Sequence, residues 1–142
     1  KRRCLIPTDG FFEWKKNGKK KQPYFIHQKD KQPFAMAGLW EQWKRSDEER
    51  IQSCTIITTE ANDALQELHH RMPVIIPADR YQQWLDRNVD DAETIQDFLR
   101  SYPSEEIEMR PVAKIVNSPM VDDESCIQPL DLSKENEQDT LF

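Results

Sequence analysis

Alternating polar and apolar positions dominate the first part of the chain and predict β-strands. Residues 11–16 and 24–28 flank a lysine-rich segment that contains Asn17-Gly18, a dipeptide typical of tight hairpin turns. Residues 34–43 form a further apolar run that predicts a third strand. Residues 53–59 are apolar and β-branched, which predicts a central strand. The first part of the chain is therefore expected to form a sheet from consecutive strands.

Helical spacing replaces this alternation after residue 60. Four apolar residues recur at intervals of three or four, namely Ala61, Leu65, Leu68 and Met72. Thr58 or Thr59 is the expected N-cap of this helix. Residues 78–87 and 91–102 predict two more helices, and 107–116 a late strand. The order of elements, with strands first, helices next and a strand last, indicates an α+β fold. We expect a mixed, largely antiparallel, barrel-like sheet flanked by helices.

Length and composition bound the kind of protein. The 142 residues predict one domain, 1–129, followed by a polar, acidic and disordered tail, 130–142. Charged residues make up 32% of the chain and the mean hydropathy is −0.87. No apolar run approaches the roughly 20 residues that span a bilayer, so we expect no membrane association. We therefore expect the protein either in the cytoplasm, associated with the nucleoid, or in the nucleus.

Charge and cysteine content narrow the chemistry. The net charge of −6 argues against nucleic-acid binding by the whole surface, but basic residues cluster at 1–3 and 15–21. Those lysines form either a solvated hairpin tip or a local contact with phosphates. Cys4, Cys54 and Cys126 form no CxxC motif, so no metal site is expected, and no cofactor is predicted. Cys4 and Cys54 lie in strand-like apolar runs and are expected to be buried thiols.

Two titratable residues stand out by their neighbours. Glu13 lies between Phe12 and Trp14, and a carboxylate desolvated by aromatic rings suits proton transfer near neutral pH. An ordinary solvent-facing glutamate on a hairpin is the alternative interpretation. On the predicted helix, His69 falls at the edge of the apolar stripe, whereas His70 falls nearly opposite it. His69 is therefore either an acid/base group bordering a cleft or a hydrogen-bonded structural histidine.

Four blocks of the sequence resemble the SRAP domain, the SOS-response-associated peptidase family. They are RRCLIPTDGFFEW at 2–14, FAMAGLWE at 34–41, TTEAN at 58–62 with LHHRMP at 68–73, and VNSP at 116–119. They follow one another in the family's order, and the resemblance covers residues 2–129.

The resemblance implies a DNA-repair protein that recognises abasic sites in single-stranded DNA and crosslinks to them covalently. In the family, the α-amine and thiol of an N-terminal cysteine react with the opened sugar aldehyde and end as a thiazolidine. By position, Glu13 matches the family's catalytic glutamate, and His69 matches the histidine near the sugar and phosphate. Thr58 and Arg71 match positions near the DNA backbone.

The family's cysteine has no counterpart among these residues. Cys4 follows three residues and has no free α-amine. We therefore expect the nucleophile to precede Lys1, and the 142-residue chain to be inactive by itself. Two alternatives use the same sequence: a thiol autopeptidase that removes its own N-terminal residues, and a non-catalytic nucleic-acid-binding remnant. The protein is expected to act as a monomer.

Overall fold

Antiparallel pairing organises the computed structural model, which describes residues 2–46 and 49–132. Its strands are β1 Arg3–Thr8, β2 Phe11–Asn17, β3 Lys20–Gln28, β4 Phe34–Lys44, β5 Arg50–Ile56, β6 Thr58–Glu60, β7 Arg71–Pro73, β8 Ile75–Ile76 and β9 Ile107–Pro111. The helices are α1 Tyr81–Leu85 and α2 Ala92–Phe98, and 3₁₀ turns lie at Ala78–Arg80, Ser104–Glu106, Lys114–Asn117 and Glu124–Ile127. The described strands form three open sheets, and the predicted α+β class with a largely antiparallel core is confirmed.

The predicted hairpin is formed by β2 and β3, and β9 pairs with the other edge of β3. Gly18 begins the two-residue loop with a φ of 57°, a conformation that glycine adopts without strain. Gly10 enters the hairpin where the chain approaches β3 closely. A Cβ atom at Gly10 would overlap the Phe25 ring and lie 2.7 Å from the Ile26 carbonyl oxygen. The turn at Asp9-Gly10-Phe11-Phe12 therefore requires glycine at its second position.

The central strand is β4, not the segment that the sequence pattern favoured. β4 pairs with β1, β5 and β8, and its first half is buried on both faces. β5 lies beside β4 with exposed side chains along its whole length. The prediction of a central strand at 53–59 is therefore wrong, as is the expectation that Cys54 is buried. β-Branched composition favours an extended backbone but does not specify which strand has two neighbours.

The helix predicted from Ala61 to Met72 is also wrong. Residues 63–68 form a single helical-type turn, in which the backbone N–H of His69 donates to the Leu65 carbonyl at 3.0 Å. The chain then extends into β7, which pairs with β6, so Thr58 and Thr59 belong to a strand and cap nothing. The apolar residues share a spacing because they all enter one core, not because they share a helix.

Two apolar clusters fill the interior. The first joins the β2–β3–β9 sheet to the turn at 63–68, and its buried residues are Ile26, Phe34, Met36, Ala61, Leu65, Leu68, Met72, Ile75 and Ile107. The second joins β4 and β8 to the helices, through Ala37, Val74, Ile76, Trp84 and Phe98. Trp84 and Phe98 meet edge to face at 5.3 Å, an arrangement that the ring quadrupoles favour.

The remaining predicted elements are present but shorter. Helix 78–87 is a 3₁₀ turn followed by α1, helix 91–102 is reduced to α2, and the late strand ends at Pro111. α2 begins where the Asp91 carboxylate accepts the Thr94 N–H at 2.8 Å. Most of the predicted disordered tail, residues 133–142, lies outside the described residues. In the described part, no helix is long and apolar enough to cross a membrane.

Candidate functional site

One face of β2 is directed toward the turn at 63–68. Phe11, Glu13 and Lys15 alternate along the strand and so share this face. Phe11 packs against the first cluster, to which Leu65 belongs. Lys15 Nζ lies 2.7 Å from Glu67 Oε2, at the end of the turn. Glu13 lies between these two contacts and is therefore on the side of the sheet that the turn covers.

The opposite face of β2 is held by other partners. Trp14 Nε1 donates to Asn117 Oδ1 at 2.8 Å, and the Phe12 and Phe25 rings are 5.3 Å apart. Glu13 itself is half-buried, and its Oε1 accepts the backbone N–H of Trp14 at 3.1 Å. The second carboxylate oxygen of Glu13 has no hydrogen-bond partner among the described residues. It can therefore accept or deliver a proton.

His69 follows the turn and is fixed through one ring nitrogen. The backbone N–H of Arg71 donates to His69 Nδ1 at 3.1 Å, and the Arg71 carbonyl oxygen lies equally close. In the neutral ring, Nδ1 is therefore bonded within the chain either as an acceptor from the N–H or as a donor to the carbonyl oxygen. His69 is half-buried, whereas His70 is exposed, as the sequence pattern predicted even though the helix is absent. The Nε2 side of His69 is thus the part of the ring that can act on a ligand.

Thr58 and Arg71 form the clearest side-chain pair of the predicted set. Arg71 Nη2 donates to the Thr58 carbonyl at 2.6 Å and to Thr58 Oγ1 at 3.0 Å, across the β6–β7 pair. These bonds hold the guanidinium at the surface, against Thr58. Nη1 of Arg71 makes no hydrogen bond within the described residues and remains able to contact an anion.

Three of the four predicted residues, Thr58, Arg71 and His69, form a connected group, and Glu13 is separate from it among the described residues. Thr58 contacts Arg71 and Arg71 contacts His69, but no hydrogen bond joins Glu13 to His69 in the described residues. The Lys15–Glu67 ion pair provides the indirect connection between their segments. Sequence reasoning missed this pair, since nothing in the pattern indicates which carboxylate meets an exposed lysine.

Asn62 was also missed, although it positions the turn. Its Oδ1 accepts the Leu65 N–H at 3.0 Å, and its Nδ2 donates to the Tyr102 carbonyl at 2.7 Å. An asparagine three residues before a buried leucine is an N-cap signal, and it was available in the sequence.

The thiol of Cys4 is not activated. Cys4 is half-buried, and burial raises the pKa of its thiol, with a smaller contribution from the charge of nearby Cys54. A raised pKa keeps the thiol protonated, which makes it a poor nucleophile. Within 2–46 and 49–132, no three His, Cys, Asp or Glu residues are arranged to hold a metal ion.

Comparison with known proteins gives consistent matches. The chain is 39% identical over 119 residues to the abasic site processing protein YoqW of Bacillus subtilis, covering 83% of this chain and 53% of that protein. It is 33% identical over 151 residues to the abasic site processing protein HMCES of Gallus gallus, covering 92% and 44%. A crystal structure of a Bacteroides thetaiotaomicron protein superposes with a TM-score of 0.86 at 30% identity, covering 92% of this chain and 58% of that one.

The chain therefore spans about half the length of the curated relatives it matches. The sequence profile of the family described as SOS response associated peptidase (SRAP) matches residues 1–119. With that match and these identities, the chain belongs to the SRAP family.

Proposed function

We propose that the protein processes abasic sites in single-stranded DNA, as a monomer, in the cytoplasm beside the nucleoid or in the nucleus. Glu13 and His69 move protons, and Thr58 and Arg71 hold the DNA backbone. The Lys15–Glu67 ion pair carries the proposal, because it places the Glu13 face of β2 against the segment that ends in His69. The names of the relatives, abasic site processing proteins, support the same substrate.

An abasic sugar needs the kind of proton transfer that this pair supplies. The sugar is mostly a closed hemiacetal, and opening it to the aldehyde requires one proton to leave a hydroxyl and another to reach the ring oxygen. In the proposed reaction, an N-terminal cysteine supplies an amine and a thiol. The amine adds to the aldehyde, water leaves with a proton from the acid, and the thiol closes a thiazolidine ring. The balance is aldehyde plus aminothiol giving thiazolidine plus one water.

Glu13 and His69 suit different steps of this reaction. The unbonded carboxylate oxygen of Glu13 can take a proton from the hydroxyl and return it to the departing water. In the tautomer that carries its proton on Nε2, His69 can donate to the sugar or to the adjacent phosphate, since Nδ1 is already bonded to the chain. The removal of either group should slow the reaction without preventing DNA from binding.

Replacing Glu13 with glutamine tests the role of the carboxylate. The variant is made in the protein carrying an N-terminal cysteine segment and mixed with an oligonucleotide containing one abasic site. Glutamine matches glutamate in size and can still form hydrogen bonds, but it cannot transfer the proton. Crosslinking should therefore slow by about 10²–10⁴-fold while the affinity for DNA stays unchanged. The matched control is Glu108→Gln, which alters an exposed carboxylate of β9 in the same sheet.

The readout is the rate at which a shifted band forms on a denaturing gel. A Glu13→Gln protein that crosslinks as fast as Glu108→Gln would remove Glu13 from the mechanism. A polypeptide that starts at Lys1 has no N-terminal cysteine and should give no shifted band. If it does, the nucleophile does not lie upstream. If the extended protein gives none, the proposed crosslinking activity is wrong.

Phosphate contact predicts a salt-sensitive affinity. Binding to single-stranded DNA should weaken steeply as salt rises, because phosphate contacts release counterions. Arg71→Gln should make the slope of log affinity against log salt shallower by about 0.7, the value for one contact on a single strand. Arg87→Gln, an exposed arginine elsewhere, is the control that should leave the slope unchanged. An unchanged slope in Arg71→Gln would place Arg71 away from the DNA.

The family description favours one second candidate, autoproteolysis. The same acid/base pair would then assist an N-terminal cysteine in removing the residues before it. Mass spectrometry of freshly expressed extended protein distinguishes the two roles. Retention of the leading residues in Glu13→Gln, with removal in Glu108→Gln, would support the peptidase role.

A further inference from the structure

A small cavity lies on the other face of the β2–β3–β9 sheet. Its volume is about 160 Å³, and it is lined by Asp9, Phe25, His27, Lys31, Arg110 and Ile127. Phe25 and His27 alternate with Tyr24 and Ile26, which pack into the first cluster on the Glu13 side. The sheet therefore separates this cavity from the face of β2 that carries Glu13.

Two buried nitrogens at this cavity have no hydrogen-bond partner in the described part of the chain. His27 is only 4% exposed, and its Nε2 atom is unpartnered. Nε of Arg110 is the second such atom. Buried polar atoms in folded proteins are nearly always paired, so two orphans lining one cavity indicate a missing partner. A ligand with oxygen atoms in the cavity would satisfy both.

The register of the strands places the two groups together. Arg110 on β9 pairs with Phe25 on β3, and its guanidinium carbon lies 5.4 Å from the centre of the Phe25 ring. His27 is two residues further along β3 on the same face, with its ring 5.5 Å from that of Phe25. Phe25 thus forms the apolar wall between a cationic fork and an imidazole. Both residues line the same cavity.

The charge of the cavity favours an anion. Arg110 and Lys31 contribute two positive charges and Asp9 contributes one negative charge. Lys31 reaches the cavity from a turn in which its backbone has a φ of 60°. Glu108, opposite His27 in the register, is exposed to solvent. The volume corresponds to about five water molecules, which suits a small oxyanion.

The hydrogen bonding of His27 narrows the class of anion. Its Nδ1 lies 2.7 Å from the Gln28 carbonyl oxygen, which only accepts, so the neutral ring carries its proton on Nδ1. Nε2 of the neutral ring then needs a donor, whereas Arg110 needs an acceptor. A phosphate group offers both a P–OH and P–O⁻ oxygens near neutral pH, but an ionised carboxylate or a sulfate offers acceptors only.

We propose that this cavity is a phosphate-binding site, separate from the Glu13 face of the sheet. The phosphate is either free inorganic phosphate or the terminal phosphate of a nucleic-acid strand. Arg110 binds its oxygens through the guanidinium, His27 Nε2 accepts from its hydroxyl, and Lys31 covers the open side. The proposal does not depend on the role of Glu13 or His69.

The test follows the side-chain nitrogen resonances of His27 and Arg110 by NMR while inorganic phosphate is added to the ¹⁵N-labelled chain near neutral pH. Both should shift and saturate in the millimolar range. Sodium sulfate at the same ionic strength should shift them less, because it has no hydroxyl to donate. Absence of any shift with phosphate, or equal shifts with sulfate, overturns the proposal as stated.

Variants then assign the site. Arg110→Met should weaken phosphate binding by about tenfold or more, since one charge-assisted hydrogen-bonding partner is lost. His27→Phe removes the Nε2 acceptor but keeps an aromatic ring in the site, and it provides an independent test if Arg110→Met fails to fold. Arg87→Met is the matched control. Unchanged affinity in a folded Arg110→Met or His27→Phe protein places the phosphate elsewhere.

An oligonucleotide with or without a 5′-phosphate identifies the source. If only the phosphorylated strand competes with inorganic phosphate for the site at His27, the occupant is a strand end. No competition by either strand identifies free phosphate. Equal competition by both strands shows that the cavity does not select a terminal phosphate and overturns that assignment.

Discussion

Substitution of Asn62 should lower the free energy of unfolding substantially, because Asn62 holds the turn before His69. Asn62 is 9% exposed, and its side chain makes two hydrogen bonds. One caps the turn at the Leu65 N–H, and the other binds the Tyr102 carbonyl, 40 residues away in sequence. Asn62→Ala removes both. The turn then loses its local cap and its connection to the segment after α2.

The expected loss of stability follows from these two bonds. Loss of an N-cap costs about 1 kcal/mol. Leaving the partly buried Tyr102 carbonyl without its donor costs about 1–3 kcal/mol more. Asn62→Ala should therefore lower the free energy of unfolding by about 2–4 kcal/mol. Asn62→Ser keeps a short capping oxygen but cannot reach Tyr102, so it should recover the part due to the cap.

Urea unfolding followed by tryptophan fluorescence measures this loss. With a slope near 2 kcal/mol per molar urea, the midpoint should fall by about 1–2 M. The matched control is Asn88→Ala, since Asn88 is exposed and its side chain bonds to Asp86 in its own loop. That change should stay within about 0.5 kcal/mol. A midpoint for Asn62→Ala equal to that of Asn88→Ala would show that the two bonds do not hold the turn.

Two further measurements test the surroundings of the site. Hydrogen bonding and charge from Lys15 lower the pKa of the Glu67 carboxyl, so the ion pair should stabilise the fold above the ordinary pKa of glutamate and lose that effect as pH falls through the lowered pKa. NMR titration of Lys15→Met should find the Glu67 pKa nearer its ordinary value. An identical Glu67 pKa in both proteins would refute the contact. In native alkylation followed by peptide mapping, exposed Cys54 should react before half-buried Cys4, whose thiol pKa burial raises, and faster modification of Cys4 would contradict its burial.

The local pattern of the sequence predicted the hairpin well because two strong signals agree there. Alternation fixed β2 and β3 within a few residues, and a glycine took the positive φ of the loop. The turn at 63–68 failed because its apolar residues satisfy the helical spacing equally well. Pairing of β6 with β7 decided the outcome, and that contact between distant segments leaves no periodic trace in either one.

The candidate site shows the same division between local and distant information. The face of Glu13 follows from alternation alone, and the different exposure of His69 and His70 was predictable from their positions. The pairing of Thr58 with Arg71 was not, since it required the β6–β7 register. The strand order that leaves Cys54 exposed was not predictable either, because β4 rather than β5 acquired neighbours on both edges.

The arrangement gives the two proposed proton-transfer groups different kinds of support. Glu13 lies on a hairpin strand that pairs with β3 along its full length, so its backbone position is set by the sheet. His69 follows a short turn, whose position depends on Asn62 and on the Lys15–Glu67 ion pair. Loosening the turn should therefore affect His69 more than Glu13. If both groups act in one reaction, Asn62→Ala should slow it even in molecules that remain folded, because the imidazole, and not the carboxylate, would lose its fixed position.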